Sequence, residues 1–161
     1  LRTQGRNITV PEAATHAHVC RFSYDELCKS NMGAADYIAI ASNYHTVFVS
    51  NVPQMDLNKA ADQVRRFITL IDALYEHHCK VIILAEEEPS RLLYQHVLKQ
   101  SEEDVTHQGN VNARGDLLGE AKYVPTVKDE AFAFDRTVSR LVEMQSQVYL
   151  RLAHRDEKQE K

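Results

Sequence analysis

Asp36–Pro89 reads DYIAIASNYHTVFVSNVPQMDLNKAADQVRRFITLIDALYEHHCKVIILAEEEP. Two short apolar runs, Thr46-Val47-Phe48-Val49 and Val81-Ile82-Ile83-Leu84, flank one long helical pattern. Continuous branched and aromatic runs suit strands buried on both faces, and parallel strands need a long connection between them. The stretch therefore predicts strand, crossover helix, strand. At about 100° per residue, Ala60, Val64, Phe67, Ile68, Ile71, Leu74 and Tyr75 fall on one stripe, with Asp62, Arg66, Thr69 and Glu76 away from it. Asp56 is placed to cap the helix start. His77, His78 and Lys80 supply donors or positive charge at its negative end.

Working outward toward the N-terminus, Arg6–Val10 and His18–Phe22 read as two strands of a hairpin joined through Pro11–Thr15. Ser23 and Glu26 have capping-box spacing for a short helix through Cys28. Gly33 breaks it, and a second helix follows from Ala34 to about Asn43. Toward the C-terminus, Arg91–Tyr94 reads as the start of a helix. Residues 99–130 are polar and rich in Gly and Asn, and read as an insertion. The helical pattern resumes at Phe132, where Phe134, Val138, Leu141, Val148 and Leu152 share a stripe. Residues 153–161 read as a charged, solvated tail.

The 161 residues suit one ordinary domain, and 43% apolar with 26% charged residues excludes a wholly disordered or membrane-embedded chain. A net charge of -4 supplies no overall attraction to nucleic acid or anionic lipid. Cys20, Cys28 and Cys79 are three in number, without CxxC spacing, and read as buried thiols of a reducing compartment. The first residue is Leu1, which suggests a fragment or processed chain.

No GxxxxGK[ST], GxGxxG, GxSxG or HExxH occurs, so nucleotide hydrolysis by these residues alone is not expected. His16, His18 and Cys20 would share a strand face, but three local donors without a fourth read as ordinary strand residues, and no metal site is assigned. Ser50 and Asn51 end the first central strand, where open α/β sheets place ligands, yet they are neutral where Mg²⁺ wants acidic oxygens. A hydrolase built on Ser50 lacks a base at a telling distance. Glu86, Glu87 and Glu88 read as a solvated turn. The arginines are the better candidates. Arg136 and Arg140 are four apart and repel one another, which favours a phosphate or acidic partner; Arg65 and Arg66 are the second choice. The competing roles are surface pairs, Arg66 with Asp62 and Arg140 with Glu143.

RFSYDELC (Arg21–Cys28), ADYIA (Ala35–Ala39), HTVF (His45–Phe48), NVP (Asn51–Pro53), RRFITLIDALYE (Arg65–Glu76) and FDRTVSRLVEMQS (Phe134–Ser146) resemble, in order and spacing, the C-terminal part of the ZapE and Afg-type ATPases. The resemblance spans Arg2 to Leu150 apart from the 99–130 insertion. It implies an α/β, P-loop-NTPase-like C-terminal portion of an AAA+ ATPase over residues 1–152, with parallel strands, a crossover helix and an N-terminal β-hairpin. It further implies ATP and Mg²⁺ in the full-length protein, with the phosphate loop upstream, and none bound by this portion alone, which is inactive by itself. Arg136 and Arg140, then Arg65 and Arg66, become candidates for an arginine finger or sensor. Implied partners are the upstream half of the same ATPase, further copies in a homo-oligomer and protein substrates, with no nucleic acid, and membranes reached only through partners. The implied setting is mitochondrial protein quality control in a eukaryote or the bacterial cytoplasm. The alternative is a non-catalytic module that binds substrate proteins or subunits.

Overall fold

The structure, a computed structural model, describes residues 1–3, 5–94 and 127–155. The chain opens with two short antiparallel strands, β1 (Arg2–Thr3) and β2 (Arg6–Asn7). β3 (Glu12–Ala14) then pairs antiparallel with β4 (Val19–Ser23) across a 3-10 turn at Thr15–Ala17. The expected hairpin is present, but its first strand is Glu12–Ala14 rather than Arg6–Val10. The turn, closed by His18 at a left-handed φ of 49°, sets Ala14 opposite Val19, so pairing runs out at Glu12 next to Pro11, which has no N–H to give.

The Ser23–Glu26 capping box forms. Ser23 N–H donates to Glu26 Oε2 at 2.7 Å and Glu26 N–H to Ser23 Oγ at 3.3 Å, opening a single π-turn over Asp25–Lys29. Helix α1 (Ala34–Asn43) has the expected bounds. Its N-terminus is held by buried Asp36, whose Oδ2 accepts from Gly33 N–H at 2.9 Å while the carboxylate grips the Arg6 guanidinium. β5 (Thr46–Val52), β6 (Met55–Asp56), α2 (Leu57–Glu76) and β7 (Lys80–Ala85) follow. Asp56 forms an ion pair with Lys59 at 3.2 Å, and regular helix geometry is interrupted once, at Ala60. The end of α2 is a Schellman closure on a non-glycine residue. His78 sits at φ 55°, its N–H donates to Tyr75 O, and Cys79 N–H donates to Leu74 O.

Residues Pro89–Arg91 make a 3-10 turn and β8 (Leu93–Tyr94) pairs with β6, where a helix start was expected. Met55 N–H donates to Leu92 O at 2.7 Å and Leu92 is buried, so this segment is drawn into an extended course along β6. The 99–130 insertion lies outside the described residues except for its last four, which already belong to α3 (Val127–Glu143). A turn at 144–146 separates α3 from α4 (Gln147–Leu150), capped by Ser146 Oγ accepting from Tyr149 N–H. That break rotates the later residues off the expected stripe: Tyr149 is buried and Val148 exposed. The tail is not wholly solvated either. His154 packs against the Ala41 carbonyl, Arg155 N–H donates to His77 O, and His78 Nδ1 bonds the Ala153 carbonyl.

The main sheet runs β3-β4-β5-β7, with the last three strands parallel. β5 and β7 are neighbours joined through α2, as the opening stretch requires. Both crossovers step the same way across the sheet, and α1 packs on α2, so both helices cover one face. Cys20, Phe22, Val47 and Val49 point into that core with Val64, Phe67, Ile71 and Leu74. The expectation of strands buried on both faces fails, because Phe48, Ile82 and Leu84 on the opposite face remain exposed. Leu70 is also buried, beyond the expected stripe of α2, on the flank it shares with Arg66, the side that faces the π-turn rather than α3.

Substitutions at two positions test this organisation. Phe67→Asp places a charge in the centre of the core and is expected to abolish the cooperative transition seen by circular dichroism, while Phe67→Leu keeps it. Asp36→Ala removes the acceptor for Gly33 and Arg6 and is expected to cost about 1.5–3 kcal/mol in a urea titration.

Candidate functional site

Asp72 and Glu76 lie one turn apart on α2, and Arg136 and Arg140 one turn apart on α3. Packing α3 along α2 brings the two pairs together. Arg136 Nη2 donates to Asp72 Oδ2 at 3.1 Å, Arg140 Nη1 donates to Asp72 Oδ1, and Arg140 Nη2 donates to Glu76 Oε1 at 3.2 Å. The Arg140 guanidinium also lies 4.8 Å from the centroid of the Tyr75 ring. Tyr75 donates its hydroxyl to Glu143 Oε2 at 2.9 Å, and this bond, more than burial, raises its pKa. Behind it, Tyr149 stacks on Tyr75 at 5.6 Å and donates to the Cys79 carbonyl at 3.2 Å.

The repulsion between Arg136 and Arg140 therefore finds its acidic partner within the chain. The two arginines are not equivalent. Arg140 has a side chain 20% exposed, held by two carboxylates and a ring, whereas Arg136 is 57% exposed and held by one oxygen. Arg140 does not take up the surface pair with Glu143 considered from spacing, since Glu143 serves Tyr75.

The second pair divides differently. Arg65 pairs with Asp62 at 3.1 Å. Arg66 instead reaches across to the π-turn, where Nη1 donates to the carbonyls of Cys28 and Ser30, each at 3.0 Å. It closes the end of a turn, and nothing in the sequence pattern pointed there because the acceptors are backbone oxygens of another element.

At the C-terminal ends of the parallel strands, Ser50 is buried and donates to Phe22 O at 3.4 Å. Asn51 occupies a left-handed φ of 58° at a break in the β5–β7 register. Glu86 accepts from Gln54 N–H at 2.9 Å and Glu88 pairs with Arg91, so two residues of the acidic run brace the turns around them. The end of β5 thus carries the neutral side chains Ser50 and Asn51, while Glu86, just past the end of β7, is engaged with Gln54. His16 lies in the 3-10 turn and His18 bonds the Asn43 carbonyl, so neither shares a strand face with Cys20. Among the described residues no group of three His, Cys, Asp or Glu is placed to hold a metal.

The arginine partners that spacing did not reveal are Asp72, Glu76 and the Tyr75 ring, and Glu143, which spacing set beside Arg140, is engaged by Tyr75 instead. The available signal was complementary: acids four apart on one predicted helix and arginines four apart on another.

Cys20, Cys28 and Cys79 are buried and form no disulfide. Burial pushes the Cys20 and Cys28 thiols up to about 12, with Arg66 partly opposing it at Cys28. A raised folded pKa means that the native state holds protons the unfolded chain releases above its ordinary value. Stability is thus expected to be intact below about pH 8.5 and to fall as pH rises toward 12, each thiol contributing up to about 1.4 kcal/mol per pH unit. Urea titrations of wild type and Cys20→Ala/Cys28→Ala at several alkaline pH values should show a shallower decline in the variant. At neutral pH, Asp72→Ala leaves two arginines facing each other and is expected to cost about 1–2 kcal/mol, with faster hydrogen exchange in α3.

Comparison with known proteins adds the lineage. The chain is 38% identical over 149 residues to Lactation elevated protein 1 homolog B of Danio rerio, covering 92% of this chain and 29% of that protein. It is 35% identical over 146 residues to an uncharacterized protein of Schizosaccharomyces pombe, covering 91% and 31%. It is 33% identical over 132 residues to Cell division protein ZapE of Escherichia coli, covering 82% and 26%. The chain thus spans less than a third of the length of these relatives. No solved structure matches it. Residues 1–104 match the family described as AFG1-like ATPase, and the chain belongs to that family.

Proposed function

We propose that this chain is the C-terminal portion of an AAA+ protein that hydrolyses ATP with Mg²⁺, the phosphate loop being supplied by the rest of that protein. The observation that carries the reading is the family match over residues 1–104. The portion alone is inactive. Its contribution is positive charge presented to a nucleotide bound outside it, in the same subunit or a neighbouring copy.

Arg136 is the first candidate for that role. It is the more exposed of the α3 arginines and has one ion-pair oxygen to give up, while Arg140 keeps Asp72 neutralised when Arg136 swings away. Arg140 is then a positioning residue. Arg65, paired with a largely exposed aspartate, ranks next, and Arg66, engaged with two carbonyls of the π-turn, last. The full-length protein is proposed to work as a homo-oligomer on protein substrates, in mitochondrial quality control in a eukaryote or in the cytoplasm of a bacterium. No helix among the described residues is long and apolar enough to cross a membrane.

A second reading, a non-catalytic module binding substrate proteins or subunits, is favoured by a groove of about 680 Å³ beside β7, an edge strand among the described residues. Val81, Ile83, Leu92, Leu141 and Met144 supply its apolar wall. An extended peptide laid there would add a strand to the sheet.

ATP turnover by the full-length product of the same reading frame separates these readings. Arg136→Ala is expected to lower kcat about 10³-fold with assembly unchanged, by analogy with other arginine fingers. Wild-type turnover in that variant removes Arg136 from the catalytic set, and no turnover in the unaltered full-length protein favours the interaction module.

A further inference from the structure

The face of the sheet opposite α1 and α2 carries Phe48, Ile82 and Leu84, exposed by 38%, 45% and 67%. Phe48 and Ile82 are register partners on neighbouring parallel strands, and Leu84 follows two residues along β7, so the three form one apolar strip. Arg21, opposite Phe48 on β4, is occupied by Glu12 at 3.3 Å across the hairpin. The strip therefore presents hydrocarbon flanked by a neutralised charge.

Nothing in the described chain is placed to cover it. Both crossover helices are committed to the other face by the direction in which the strands step, and α3 packs outside α2. Sheets built of parallel strands persist almost only with both faces covered. The curated relatives extend well beyond the matched span, since it amounts to 26–31% of their length. A lipid surface is a poor occupant, because Arg21 is already paired, Lys80 at the start of β7 is a single cation where lipid recognition wants a cluster, and the chain carries a net charge of -4.

We propose that the Phe48–Ile82–Leu84 face is the seat of an amphipathic helix from the nucleotide-binding remainder of the same polypeptide. This rests on the reading above that the chain is part of a longer ATPase. The joint makes the sheet two-sided, and it fixes α2 and α3, with their arginines, relative to the bound nucleotide.

Thiol labelling tests it directly, because the native cysteines are buried. Leu84→Cys is a mild change at an exposed position, Phe48→Cys samples the neighbouring strand, and Lys59→Cys on α2, with a side chain 83% exposed, normalises the rate in each protein. Each is made in the 161-residue chain and in the full-length product, and maleimide modification is read by peptide mapping. The expected result is free labelling of both sheet-face thiols in the chain and at least about 10-fold protection in the full-length protein, the ratio that marks a stably covered site. Equal labelling in both overturns the proposal. So does protection already present in the 161-residue chain together with a dimer on gel filtration, which assigns the face to a second copy. ATP turnover on the same preparations keeps the two readings apart: free labelling in an active enzyme sinks the docking face alone, and protection in a protein without turnover sinks the ATPase reading alone.

Discussion

Helix α2 must satisfy two surfaces at once, and the rest of the fold follows from how it does so. Phe67, Ile71 and Leu74 are buried in the same cluster as Val47 and Val49 of β5, while Asp72 and Glu76 on another flank receive α3. Were the helix apolar all round, α3 would have no preferred register along it. A charged flank gives the second contact direction and order, since a one-turn slide of α3 would leave Asp72 facing one arginine instead of two. The hydrophobic contact supplies most of the stabilisation, and the ionic contact selects one arrangement among several that bury similar area.

That division explains the gradation among the four arginines. Partly buried groups keep much of their hydration, so the Asp72 cluster holds its geometry without the large desolvation cost of a core ion pair. Arg140 is tied from three directions and behaves as part of the scaffold. Arg136 shares its carboxylate and stands closer to solvent. Arg66 has become a cap for backbone carbonyls, a role for which a planar guanidinium with several donors is well suited. Charge concentration in the sequence thus marked a set of residues, and partner geometry ranks them.

Local chemistry was legible where the partner is local. The Ser23–Glu26 box, the bounds of α1 and the order strand, helix, strand around α2 all follow from spacings of a few residues. What escaped was decided by distant residues. The partner strand in the hairpin shifted because the left-handed His18 sets the register, not the apolar content of Arg6–Val10. The Arg91–Tyr94 segment became extended through pairing with β6, and the stripe of the last helix broke because Ser146 caps a new turn. Asp72 was overlooked as a partner because it lies 64 residues from Arg136, and periodicity within one helix says nothing about its neighbour.

The one-sided sheet is the most informative of these departures. An apolar run of the Val81–Leu84 kind is equally compatible with burial on both faces and with burial on one face that awaits a cover. The two cases differ only in topology, in whether successive crossovers reverse direction. Here they do not reverse, and the exposed hydrocarbon of Phe48, Ile82 and Leu84 is the direct result. Within the chain, α3 is placed by charge on a surface already half covered. Across the bare face charge is sparse, with Arg21 spent on Glu12 and Lys80 set at the start of β7, so whatever covers it is held mainly by shape and burial rather than by ion pairs. A contact of that kind resists salt and strengthens with area, which suits a permanent joint within one polypeptide better than an encounter between separate proteins.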